Sequence, residues 1–352
     1  MKKLFFIAAI ASAALVSCTK NELAPSTAEQ EEISFAAPVV GAQTKVNGAI
    51  GATYDTKESF DVWCVYNPTN GLSEWGGTPY FNNIKAIYDS SLGGWALSPK
   101  YYWPATGYLS FVAMSPSIDK ATSYDQANGF QITEAWSQGA TQDAIIDLMY
   151  SEPTFNCQKS SYDDYGDGKD DDDDNGNFKY NGVDLTFKHA LSYITFQIKT
   201  AADYSATTKF RLNTITLSGA YTTGTFNQKV TDPWTEKTDG ATGTYIAYTN
   251  APGLDFKNTA VAAPSETGKE TILLPQTLVA GKQKITLNYQ ISTDNGTTWI
   301  NQVQEADLKN ATVEEWEMGK KYTYTISISM TEIILDPAVA AWDPTPGGEI
   351  SF

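Results

Sequence analysis

The chain has 352 residues, with 41 acidic against 24 basic side chains and a formal net charge of −17. A surface this acidic, with Arg211 as its one arginine, excludes nucleic acid as a partner, because phosphate binding needs a basic face. The single histidine, His189, excludes His-rich metal sites, and no Gly-x-Ser-x-Gly, His-Glu-x-x-His, Cys-x-x-Cys or Walker A pattern occurs, so no enzyme class is indicated.

Lys2 and Lys3 precede an apolar run from Leu4 to Val16, the length of a signal-peptide core and too short to span a bilayer. Leu15-Val16-Ser17-Cys18 then reads as a lipobox: the thiol of Cys18 takes a diacylglycerol, and cleavage makes it the new N-terminus. Residues 1–17 are therefore expected to be a lipoprotein signal peptide. Asn21 to Gln30 is polar and reads as a tether. Beyond it Ile33, Phe35, Ala37 and Val39 alternate with Glu32, Ser34 and Ala36, a period of two that predicts a strand. The stretch Gln43 to Gly48 interrupts it as a loop.

Further strands are expected from Phe60-x-Val62-x-Cys64-x-Tyr66, from the aromatic stretch Trp95 to Trp103, and from Leu109 to Met114. Ala144 to Tyr150 reads as a strand or a short helical turn. Tyr101, Tyr102 and Trp103 suit either core packing or a sugar-stacking platform. Cys64 and Cys157 suit either a disulfide or buried thiols. Ser160 to Asn177 is acidic and almost without apolar residues, hence an exposed loop between two halves. Within it Asp171-x-Asp173-x-Asn175-Gly176 matches the first half of a calcium loop. Position twelve, however, is Gly182 rather than Glu, so a solvated acidic loop is the competing reading. No other cofactor is expected.

Alternation resumes at Ile194, Phe196 and Ile198, at Ile215 and Leu217, and at Ile285, Leu287, Tyr289 and Ile291. Asp294-Asn295-Gly296 predicts a hairpin turn before a return strand opening at Trp299. Tyr322, Tyr324, Ile326, Ile328 and Met330 oppose Thr323, Thr325, Ser327 and Ser329, which predicts a half-buried antiparallel strand. Strands separated by turn residues, without long helical periodicity, predict an all-β sandwich protein.

The order of several segments resembles the fimbrillins, the type V pilins of Bacteroides-like bacteria. The resemblance rests on the lipobox at Cys18 with Thr19-Lys20-Asn21-Glu22 after it, Thr44-Lys45, Phe60-Asp61-Val62-Trp63, and Tyr102-Trp103-Pro104 with Leu109 to Met114. It continues through Val183 to Leu191 around His189-Ala190, Met318-Gly319-Lys320-Lys321-Tyr322, and Val339-Ala340-Ala341-Trp342. It covers nearly the whole chain. It implies two tandem transthyretin-like β-sandwiches, at 46–182 and 183–352, behind a tether and N-terminal strand at 18–45. It also implies delivery to the outer membrane through the lipid, cleavage between Lys45 and Val46 where the family usually has Arg, and a C-terminal donor strand. The donor residues would be Ile333, Ile334, Leu335, Val339 and Trp342. The expected partners are other pilin subunits in a fimbrium, with a host protein or glycan as an adhesion target. The alternative is a tip adhesin or surface glycan-binding lipoprotein on the same fold.

Overall fold

The computed structural model describes residues 31–40, 54, 58–139, 145–159, 172–173, 177–178, 182–235, 242–263, 271–329 and 333–342. The regular elements among them are strands throughout, as the composition and alternation predict.

The first sheet runs in the order Ser34–Phe35, Gly94–Ser98, Thr78–Asp89, Phe60–Asn67, Tyr108–Ser115, Met149–Ser151, Thr186–His189, Val39–Val40, with Thr154–Cys157 also paired to Tyr108–Ser115. Both ends of this path belong to one segment, 31–40, so the sheet closes on itself. The central strands are buried on both faces. Phe60, Val62 and Cys64 join Leu109, Phe111 and Ala113 in one core, while Trp63, Val112 and Met114 point into another. A strand covered on both sides has no polar face, hence the apolar run at 109–114, interrupted only by the buried Ser110.

The second core is closed by a sheet that both halves of the chain build. Gly129–Ser137 pairs with Thr122–Asp125 on one side and with Thr223–Asn227 on the other, and Thr223–Asn227 also pairs with Trp234–Thr235. Phe130, Ile132, Trp136, Phe226 and Trp234 fill the space beneath it. The buried Trp234 donates its indole N–H to the carbonyl of Ala190 at 2.6 Å.

The C-terminal half is a sandwich. One sheet is ordered Val261–Ala262, Ser192–Thr200, Lys320–Ile328, Ile333–Ala341, with Thr271–Leu273 also on Ser192–Thr200. The other is ordered Thr242–Phe256, Lys209–Tyr221, Lys284–Ser292, Ile300–Asp307. Ile194, Phe196 and Ile198 face Ile215, Leu217, Leu287 and Tyr289 in a shared core, the residues that alternation assigns to it. Tyr322, Tyr324, Ile326 and Ile328 are buried as expected. Their strand differs from the expectation in one respect: it is antiparallel to Ile333–Ala341 but parallel to Ser192–Thr200. Alternation reports which face is buried and carries no information on neighbour direction.

Other expectations resolve locally. The chain is a strand at Met149–Ser151, not a helical turn. Asn295 and Gly296 have positive φ (60° and 90°), as an Asn-Gly turn requires. The connection is nevertheless longer than a two-residue turn, because Asp294 accepts the backbone N–H groups of Thr297 and Thr298 and holds the loop open. The Thr298 hydroxyl, followed by the Thr298 backbone N–H, holds its carboxyl low, at about 2. Cys64 and Cys157 are buried thiols. They lie on strands flanking Tyr108–Ser115 on either side, so about 9–10 Å separates their backbones, beyond disulfide reach. Trp103 is buried and Tyr101 packs on Phe81, so this stretch belongs to the core.

Replacing Trp234 by Phe leaves the Ala190 carbonyl buried without its donor, and is expected to destabilise the fold by about 1–3 kcal/mol. The midpoint of a urea unfolding curve checks this.

Candidate functional site

Segment 31–40 lies between two walls and hydrogen-bonds to both. On one side the N–H of Ile33 donates to Tyr101 O (2.8 Å), Trp103 N–H donates to Glu31 O (3.0 Å), and Ser34 and Phe35 pair with Ala96 and Trp95. On the other side Ala36 N–H donates to Val183 O (3.1 Å), Val183 N–H to Ser34 O (2.9 Å) and Val39 N–H to Leu185 O (2.9 Å). The segment is thus a central strand, although it is the first described part of the chain.

Two of its side chains are among the most deeply buried of the described residues. Ile33 is 1% and Phe35 0% exposed. The Phe35 ring meets Phe60 and Phe111 edge-on, each at 5.6 Å between centroids. Around that contact Tyr54 stacks on Phe187 at 5.8 Å, and burial pushes its hydroxyl pKa up despite a hydrogen bond with Ser115. Gly182 makes the close approach possible: a Cβ there would come within 2.5 Å of the Phe35 carbonyl carbon and 2.6 Å of the Ala36 nitrogen. The ion pairs Lys100–Glu32 and Lys159–Glu31 add surface contacts, which contribute little when exposed. Burying Ile33 and Phe35 is worth about 1.5–3 kcal/mol each, so this strand is held mainly by its apolar row and its double ladder.

The C-terminal strand Ile333–Ala341 is held differently. Among the described residues it pairs only with Lys320–Ile328, through nine consecutive residues, at the edge of its sheet. Ile333 and Leu335 rest against the sandwich core but are only partly buried. Ile334 is 51% and Val339 37% exposed. At its end Trp342 lies flat on His189, with ring centroids 3.6 Å apart and planes 4° apart, and near Tyr193 at 5.3 Å. His189 Nδ1 in turn meets Asp147 Oδ1 at 2.9 Å. The histidine is a structural residue that docks the end of the C-terminal strand on the first sheet.

Among the site residues expected from sequence, the donor set of Ile333, Ile334, Leu335, Val339 and Trp342 therefore falls on one edge strand and its terminus. Cys18, Lys45 and Val46 lie outside the described residues, as do Asp171 and Asn175. Asp173 is placed only through the backbone, where Asp172–Asp173 pairs with Asn177–Phe178. No group of three His, Cys, Asp or Glu able to hold a metal occurs among the described residues. Sequence reasoning missed the two walls of the groove and the Trp342–His189 stack, because each joins residues far apart in the chain. Gly182 was visible only as a defect in a calcium motif, when its meaning is the passage of a strand.

A closed all-β sheet completed by an N-terminal strand, followed by a sandwich whose last strand lies on a sheet edge, defines the class of protein. The sequence matches the fimbrillin-like family over residues 44–342, and the chain belongs to that family. Among solved structures it is similar to a fimbrial protein from Bacteroides vulgatus, at 17% identity and a TM-score of 0.60, covering 88% of this chain and 99% of that one. It is also similar to a candidate cell adhesion protein from Bacteroides uniformis, at 18% identity and a TM-score of 0.50, covering 89% and 99%. These likenesses concern the fold. No curated protein matches the sequence.

The two strands should respond oppositely to truncation. Phe35→Ala is expected to cost about 3–5 kcal/mol of global stability. Trp342→Ala should leave the unfolding midpoint nearly unchanged while speeding amide hydrogen exchange in 320–328, where the ladder partner loosens. Unfolding curves combined with hydrogen exchange check both.

Proposed function

We propose that this chain is a pilin-type structural subunit that polymerises by strand exchange. The observation that carries the reading is the asymmetry between its two terminal strands. The 31–40 strand fills a dry groove between two walls, and the 333–341 strand lies half-exposed on a sheet edge. Removing the first uncovers apolar side chains and two rows of backbone groups that must be paired again. Removing the second leaves the sandwich core largely covered. A cut between Lys45 and Val46 would free the first strand from the rest of the chain, and the groove would then take the C-terminal strand of another subunit. Strand addition of this kind joins backbone hydrogen bonds to side-chain pockets. Because donor and groove lie in different halves of the chain, the contact is head-to-tail, and repeated without closing on itself it builds a filament.

In this reading Cys18 carries the lipid that delivers the precursor to the outer membrane, and the lipid leaves with residues 18–45 on processing. The role is structural and adhesive rather than catalytic, at the cell surface in a fimbrium, with other pilin subunits as partners. The family membership and the fimbrial name of the Bacteroides vulgatus neighbour support it.

Limited trypsin digestion of the chain lacking its signal peptide is expected to cut after Lys45 and convert monomer into a ladder of multimers on a native gel. A chain lacking residues 333–352 should be cut equally well and remain monomeric. Cut, intact-ended protein that stays monomeric would overturn the reading in favour of a lone surface adhesin.

A further inference from the structure

The segment that fills the groove and the segment proposed to replace it share a pattern. Glu32-Ile33-Ser34-Phe35 is matched by Glu332-Ile333-Ile334-Leu335, and Val39 by Val339, at the same spacing. The two differ in the position of proline, Pro38 in one and Pro337 in the other.

That difference bears on the wall formed by 183–187. Phe35 lies opposite Val183, and Val40 lies opposite Phe187. Five steps along the strand (35 to 40) thus face four along the wall (183 to 187), which leaves one residue bulged. The cause is local. Val183 O accepts the N–H of Ala36, so an unbroken parallel ladder would have Leu185 O accept from residue 38. Residue 38 is proline and has no N–H. The chain slips by one, and Val39 makes the bond instead, at 2.9 Å.

We propose that the incoming C-terminal strand of a second copy docks with Leu335 at the Phe35 position, opposite Val183, and continues without a bulge. This rests on the strand-exchange reading and specifies its register. Ala338 then stands where Pro38 stood and has the N–H that Leu185 O requires. Pro337 falls opposite Leu185 and, with no bulge before it, turns to the inner face, whereas Ala37 is exposed in the bulged strand. Val339 lies opposite Phe187 and enters the core in place of Val40. Ile333, Leu335, Pro337 and Val339 all face inward; in their own sheet they already share the face of Ile328, Ile326, Tyr324 and Tyr322. The donor strand therefore forms a more regular ladder in the groove than the strand it displaces. Two unfavourable features accompany this: Asp336 takes the position of Ala36, which is buried, and it lies beside the exposed Asp184.

The register is tested on the face away from Phe35, where Ala36 and Pro38 are buried but lie outside the aromatic cluster around Phe35. In the proposed register Ala338 faces Thr186, which is exposed. Thr186→Cys is combined in turn with Asp336→Cys, Ala338→Cys or Ala340→Cys. Each variant is trypsin-cut, checked for non-covalent multimers on a native gel, then oxidised and run under denaturing conditions. A covalent ladder confined to the Ala338→Cys combination supports the register. Multimers that cross-link through Asp336→Cys or Ala340→Cys instead, or through none of the three, overturn the register and leave strand exchange standing. Absence of non-covalent multimers in every variant and in the unsubstituted chain overturns strand exchange itself.

Discussion

The structure depends on one constraint: a strand with hydrogen-bond partners on both sides and apolar neighbours cannot be absent without being replaced. Segment 31–40 satisfies the carbonyls and amides of two walls at once, and Phe35 sits where Phe60, Phe111 and Trp95 converge. Leaving such groups unpaired in a dry groove costs far more than the net worth of the bonds themselves. The closed sheet, the glycine at 182 and the aromatic packing around Tyr54 all follow from admitting that one strand.

The C-terminal half has the opposite design. Its core is closed by two sheets whose central strands alternate cleanly, and the last strand adds only partial cover along one edge. An edge strand ordinarily invites unwanted pairing. Here it is occupied by a segment of the same chain, docked at its far end by Trp342 on His189. Pro337 and Asp336 in that strand suit an edge, where one row of backbone groups faces water and a missing N–H costs nothing.

Much of this was legible in the sequence, for reasons that differ by element. The strands at 192–200, 284–292 and 320–328 announce themselves because every second side chain is buried. Thr78–Asp89 does not: its burial is irregular, its ladder to 60–67 shifts register, and Asn83 has a φ of 52°. The composite sheet was illegible because Thr223 pairs with Ser137 and Gln138 N–H donates to Thr222 O, contacts between distant parts of the chain that no local pattern encodes. The terminal strands were legible as apolar segments; the difference between a buried slot and an open edge emerges only from what surrounds each.

The composite sheet has a mechanical consequence. In a filament joined by terminal strands, tension enters a subunit through the groove of its first sheet and leaves through the strand on its last. Between those points the load crosses from one half of the chain to the other. The backbone at 190–191 makes one connection, and the ladder between 129–137 and 223–227 makes a second in parallel, with the Trp234 indole fastened to Ala190 beside it. Stretching the subunit therefore requires that ladder and its aromatic packing to fail as well as the linker to extend. The halves behave as one stiff link rather than as two beads on a string.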